Sequence, residues 1–200
     1  MRRCFRGRGL TEERGAPTPV LVRGVQRRCR VQTDANPGEL RPHGLYGNQF
    51  MLATADAVLR ATVRLEPPTV SNLIAMAALR GGRGKYTVAE ITHLFTTAYS
   101  GFRAAVLESG GAATVVHAGY WGCGAFGGYR VVMSLVQLVA ARAAGVERVV
   151  FYTVTSSGRA EVDLAVEMVR RLGPPSRGSA AQWLEQVAGM GLRWGVSDGS

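Results

Sequence analysis

Lysine is all but missing from this chain: Lys85 stands beside 23 arginines, an imbalance that looks like coding bias rather than a selected patch. Cysteine is scarce too. Cys4, Cys29 and Cys123 are odd in number and have no C-x-x-C spacing, which excludes a disulfide framework and a zinc site. No apolar run is long enough to span a bilayer. The N-terminal arginines are not followed by the apolar stretch of a signal peptide, so the expected location is cytoplasmic. Acidic residues are outnumbered 14 to 24, a net charge of +10. That excess is local. Residues 1–30 hold nine arginines and two glutamates, and the remainder is close to balanced. A basic, mostly irregular arm over residues 1–35 is therefore expected, with no specific nucleic-acid surface in the body.

What is present fits one folded domain over residues 36–200, with an ordinary apolar fraction of 46%. Val20-Leu21-Val22 and Val25 hint at a short strand. Helical spacing predicts helices over 48–65, ended by Pro67-Pro68, and over 70–79, ended by Gly81-Gly82. Thr87-Val88-Ala89-Glu90 has the form of a capping box and opens a helix to about Glu108. Two apolar runs, 112–118 and 149–154, read as strands covered on both faces. Between them, 129–144 reads as a buried helix with a narrow polar stripe of Arg130, Ser134, Gln137 and Arg142, ended by Gly145. Helices over 160–172 and 180–187 and a polar tail follow. Strand, helix, strand in this order implies parallel pairing through a right-handed crossover. The fold class is therefore α/β, with a helical segment before the β-loop-α-β core.

The stretch between the first strand and its helix is Gly119-Tyr120-Trp121-Gly122-Cys123-Gly124-Ala125-Phe126-Gly127-Gly128, five glycines in ten residues. Such a loop can turn backbone N–H groups toward a bound phosphate, and the positive end of the helix dipole favours an anion there. Four readings compete. The glycines could merely permit a tight turn. Gly122 to Gly127 spells G-x-G-x-x-G, but a dinucleotide site also needs an acid at the end of the next strand, and Phe151-Tyr152-Thr153-Val154 supplies none. Cys123 could be a nucleophile with His117 as base. No third group orients that pair, so Cys123 reads as packing and His117 as a satisfied core histidine.

The fourth reading is a resemblance. The ten-residue loop is similar to the diphosphate-binding loop of poly(ADP-ribose) glycohydrolases, which are elaborated macrodomains. Thr97-Ala98-Tyr99-Ser100-Gly101-Phe102 resembles that family's Ala-Tyr-x-Gly-Phe segment. Val136 to Ala141 and Val149 to Thr153 resemble the helix and strand after its loop. The resemblance implies a three-layer macrodomain-like fold. It implies ADP-ribose or poly(ADP-ribose), and ADP-ribosylated proteins, as partners, with no cofactor, metal or membrane. Residues Gly119 to Gly128 would be the substrate-binding set, with the amides of Gly122 to Gly128 on the diphosphate and Phe126 against a ribose. Tyr120 and Tyr129 stand where well-known members have asparagine and aspartate.

In that family a glycine triplet followed by Gln-Glu-Glu carries the acid that cleaves the glycosidic bond. This chain has no such element. Gly9-Leu10-Thr11-Glu12-Glu13-Arg14 is a partial match, without the glycine triplet or the glutamine, and the catalytic residues stay unassigned. Two confident strands are too few for a whole sheet. The resemblance therefore covers an incomplete domain, its C-terminal part. The expected function is ADP-ribose binding, with hydrolysis only if a glutamate is supplied. The alternative is a non-catalytic ADP-ribose-binding module.

Overall fold

The computed structural model describes residues 12–13, 16–153, 156–173 and 180–198. They fall into two compact units. One comprises the described residues up to Leu21 together with Ile74–Ser197. The other comprises Val22–Leu73 with Asp198.

The first unit is built around a crossover. Strand β5 (Val115–Ala118) lies parallel to β6 (Arg148–Phe151), with His117 opposite Val150 and Ala118 opposite Phe151. Helix α4 (Arg130–Ala144) connects them and ends on Gly145, whose φ of 85° suits a residue without Cβ. The parallel pairing expected from the apolar runs is thus present. Both strands are shorter than their runs, and the last predicted strand residue, Val154, lies outside the described residues. Helix α3 (Val88–Glu108) opens on the capping box: the Glu90 N–H donates to Thr87 Oγ1 at 3.2 Å, and the Thr87 N–H donates to Glu90 Oε2 at 2.8 Å. Helices α5 (Ser156–Leu172) and α6 (Ala180–Gly189) complete the unit. Val131, Val132, Leu135, Val136 and Val139 of α4 are buried with Ile91 and Leu94 of α3 and Trp183, Leu184 and Val187 of α6.

One face of the β5–β6 pair is covered. Val116 is buried with Ala98 and Phe102 of α3 and Ala140, Ala141 and Ala144 of α4, and Val149 packs against the same cluster. Alternate strand residues point to the opposite face, which is more open among the described residues. His117 is exposed on it, correcting the expectation of a strand covered on both faces and of a core histidine. Its Nδ1 lies 2.8 Å from the hydroxyl of Tyr152, itself 60% exposed.

The expected irregular N-terminus and the two expected helices before α3 need correction. Glu12–Glu13 (β1) pairs antiparallel with Ala16–Pro17 (β2), and Val20–Val31 forms one long strand, β3. The predicted helix over 48–65 breaks at Ala53: α1 (Asn48–Leu52) stops, and Thr54 accepts from the Ala57 N–H to cap a new helix, α2 (Ala55–Ala61). From Thr62 the chain is extended through Ala75 as β4, the hydrogen-bonded neighbour of β3. The predicted helix over 70–79 is therefore strand to Ala75. Pairing with β3 overrides a helical spacing carried by Val70, Leu73 and Ile74, two of which are β-branched.

Candidate functional site

The glycine loop begins directly after β5 and ends at Tyr129, the N-cap of α4. Its conformation depends on missing side chains. Gly122 and Gly127 have φ of 75° and 66°. A Cβ on Gly128 would stand 2.7 Å from the Gly122 carbonyl oxygen, and one on Gly122 would stand 2.9 Å from the Ala78 Cβ. Within the loop the Gly128 N–H donates to that same Gly122 oxygen at 2.8 Å, the Gly127 N–H to Gly124 O at 3.0 Å, and the Cys123 N–H to Tyr120 O at 3.0 Å.

The carbonyls are held from several directions. Gln137 on α4 donates through Nε2 to Gly119 O at 3.2 Å. Ser197 donates through Oγ to Ala125 O at 2.7 Å, and the Gly81 N–H donates to Phe126 O at 3.1 Å. In a trans peptide the N–H points away from the carbonyl of the same plane. Fixing the oxygens of Gly119, Gly124 and Ala125 therefore turns the N–H groups of Tyr120, Ala125 and Phe126 to the other side. Those three amides, and those of Gly122 and Gly124, donate to no acceptor among the described residues. The next turn adds more. The first N–H groups of α4 have no intrahelical partner, as at any helix start, and Tyr129 gives them no side-chain cap. The Tyr129 N–H itself donates to the Tyr86 hydroxyl at 2.9 Å.

Two guanidinium groups flank the loop. Arg80 lies 6.0 Å from the centroid of the half-buried Phe126 ring, and Arg130 lies 4.9 Å from that of Tyr120. Arg130 also pairs with Glu161 of α5 at 3.2 Å, and the Tyr120 hydroxyl donates to the Gly158 carbonyl. Burial pushes the Tyr120 phenol up, with Glu161 adding to the rise and Arg130 opposing it. Amides without acceptors, flanked by cations, suit an anion with several oxygens.

The nucleophile reading of Cys123 does not fit this geometry. Burial pushes its thiol up to about 12, against the pull of Arg130, so it is neutral at neutral pH. Its Sγ lies 3.7 Å from Trp121 O, while His117 is engaged with Tyr152. Trp121 is half-buried and donates through Nε1 to Met76 O at 3.3 Å, a packing role. Of the partial match at Gly9 to Arg14, Glu12 and Glu13 lie in β1, and the other four residues lie outside the described residues.

Two supports of the loop escaped the sequence reading. Gln137, assigned there to a polar stripe, is 2% exposed. A lone amide in an apolar helix, two turns after a glycine loop, was the available signal. Ser197 sits in a short polar segment that carries no periodicity.

A family model described as poly(ADP-ribose) glycohydrolase, macro domain fold, matches residues 43–161, more than half of the chain. No curated protein matches the chain.

Proposed function

The chain belongs to the poly(ADP-ribose) glycohydrolase family, and on that premise we propose that residues 119–128 bind the diphosphate of ADP-ribose, free or as a unit of poly(ADP-ribose) on modified proteins. The observation that carries this is the set of loop amides without acceptors, three of which, those of Tyr120, Ala125 and Phe126, sit on peptides whose carbonyls are pinned from behind. Backbone amides fixed before the ligand arrives cost little further ordering on binding. Phe126, half-buried at the same loop, offers an apolar face to a ribose. In this reading residues 36–200 are the C-terminal part of a three-layer macrodomain. The face of β5–β6 that carries His117 is the one a third layer would cover.

Binding does not by itself give hydrolysis, because holding ground and transition states equally leaves the chemical step unchanged. Glu161 is the carboxylate paired beside the loop, and Arg130 engages it. The family's glycine-triplet and Gln-Glu-Glu element has no counterpart in the sequence. We therefore read this chain as an ADP-ribose-binding member that does not turn over the polymer at an enzymatic rate. Titration calorimetry with ADP-ribose, inorganic diphosphate and NAD tests the binding. ADP-ribose and diphosphate should both bind, with ADP-ribose tighter than NAD. A folded protein indifferent to ADP-ribose would sink the reading, and a preference for NAD would replace it with a dinucleotide site.

A further inference from the structure

The supports of the loop extend beyond the matched segment, into residues 192–197. This segment is tied down along its length. Leu192 O accepts from the Tyr86 N–H at 2.9 Å, and the Trp194 N–H donates to Gly84 O at 2.9 Å. The Trp194 and Tyr86 rings stack with centroids 4.5 Å apart. Gly82 leaves room for that indole, since a Cβ there would fall 1.9 Å from the ring. The chain then crosses the end of the glycine loop. A Cβ on Gly195 would lie 3.2 Å from Gly127 O, and one on Gly127 would lie 3.0 Å from the Ser197 nitrogen. Two glycines, one on each strand of this crossing, make the close approach possible.

Val196 is 89% exposed, so apolar burial does not hold the end of the segment in place. The anchor there is polar: Ser197 Oγ donates to Ala125 O at 2.7 Å. That bond fixes the peptide plane between Ala125 and Phe126, and with it the direction of the Phe126 N–H. We propose that Ser197 is a positioning residue of the diphosphate site and that residues 192–197 are a strap that aims the loop amides. The assignment rests on the reading of 119–128 as that site. Ser197 touches no ligand in this scheme. It acts through the carbonyl of Ala125, on the far side of the peptide from the anion.

The test compares the wild type with Ser197→Ala and Ser197→Thr, using inorganic diphosphate and ADP-ribose as ligands. Loss of one hydrogen bond that aims a donor should weaken both ligands roughly three- to tenfold in Ser197→Ala. The melting temperature of this exposed variant should stay at the wild-type value, and threonine should restore affinity. In ¹H–¹⁵N spectra the Phe126 amide should move on adding diphosphate to the wild type and should already be displaced in free Ser197→Ala. Equal affinities for wild type and Ser197→Ala would overturn the strap while leaving the site standing. A fall in affinity that only tracks a fall in melting temperature, unrescued by threonine, would make Ser197 structural and overturn it too. A wild type that binds neither ligand removes the site and the strap together.

Discussion

At the scale of single residues, Phe126 is the loop residue proposed to meet the ligand, while Cys123 belongs to the scaffold. Phe126 keeps part of its ring exposed beside Arg80, among glycines that offer no other apolar contact surface. Phe126→Ala is expected to weaken ADP-ribose by about 1–3 kcal/mol, the usual loss on truncating a buried aromatic contact. Calorimetry reads this directly, and unchanged affinity would take Phe126 out of the site. Cys123 faces the protein. Its thiol is raised from 9.0 to about 12, chiefly by burial, so the folded state holds the proton more tightly than the unfolded chain. Its stabilising contribution is complete below pH 9 and is lost as the pH rises toward 12, because the unfolded thiol ionises first. Thermal melts across that window should fall more gently for Cys123→Ala than for the wild type. Burial raises the Tyr86 phenol to about 12 as well, so some alkaline loss should remain in the variant.

Elements show how far local sequence reaches. The β5–α4–β6 crossover was legible because apolar runs of strand length flank an apolar run of helix length, and each element buries its residues against near neighbours. Helix α3 was legible from its cap. Thr87→Ala should cost about 1 kcal/mol, within a range of roughly 0.5–2, by orphaning the Glu90 N–H; the midpoint of urea unfolding measures it. Gly101 in the same helix has a further reason to be glycine: a Cβ would sit 2.8 Å from the Ile74 side chain. Of the ribbon of β3 and β4, only the start of β3 was legible, from Val20-Leu21-Val22 and Val25. Most of its residues are exposed, so burial imposes no alternation, and its pairing joins segments far apart in sequence. In β4, Val70, Leu73 and Ile74 happen to recur at helical spacing, while α1 and α2, just before the ribbon, are what stands of the helix expected over 48–65.

At the scale of the whole molecule, the ten loop residues could be picked out from the sequence as the candidate site, but not the arrangement that shapes them. Gly81, Gln137 and Ser197 reach the loop from three separate stretches of chain. No motif records such a convergence, because each contact goes to a backbone carbonyl that any residue would supply. The family's glycine-triplet and Gln-Glu-Glu element is a different matter, since its absence is read from the given sequence itself. Turnover of poly(ADP-ribose) is expected to be lower than in a competent enzyme by the factor of about 10²–10⁴ that a general acid supplies. Release of ADP-ribose from the polymer should be assayed in the wild type and with Glu12 and Glu13 both changed to Gln. Robust release that vanishes in the double variant would make that pair the missing acid.

The bond from Ser197 to Ala125 joins residues 72 positions apart, and the ribosome makes them in that order. At about 5–20 residues per second, synthesis needs roughly 4–14 s to pass from one to the other. In the later part of that interval, once Phe151 has been made, both crossover strands and α4 exist, while the peptide between Ala125 and Phe126 still has no hydroxyl to turn it. A nascent chain can thus own its crossover before it owns a finished loop, and in the proposed reading of 119–128 full affinity for a diphosphate waits for the strap.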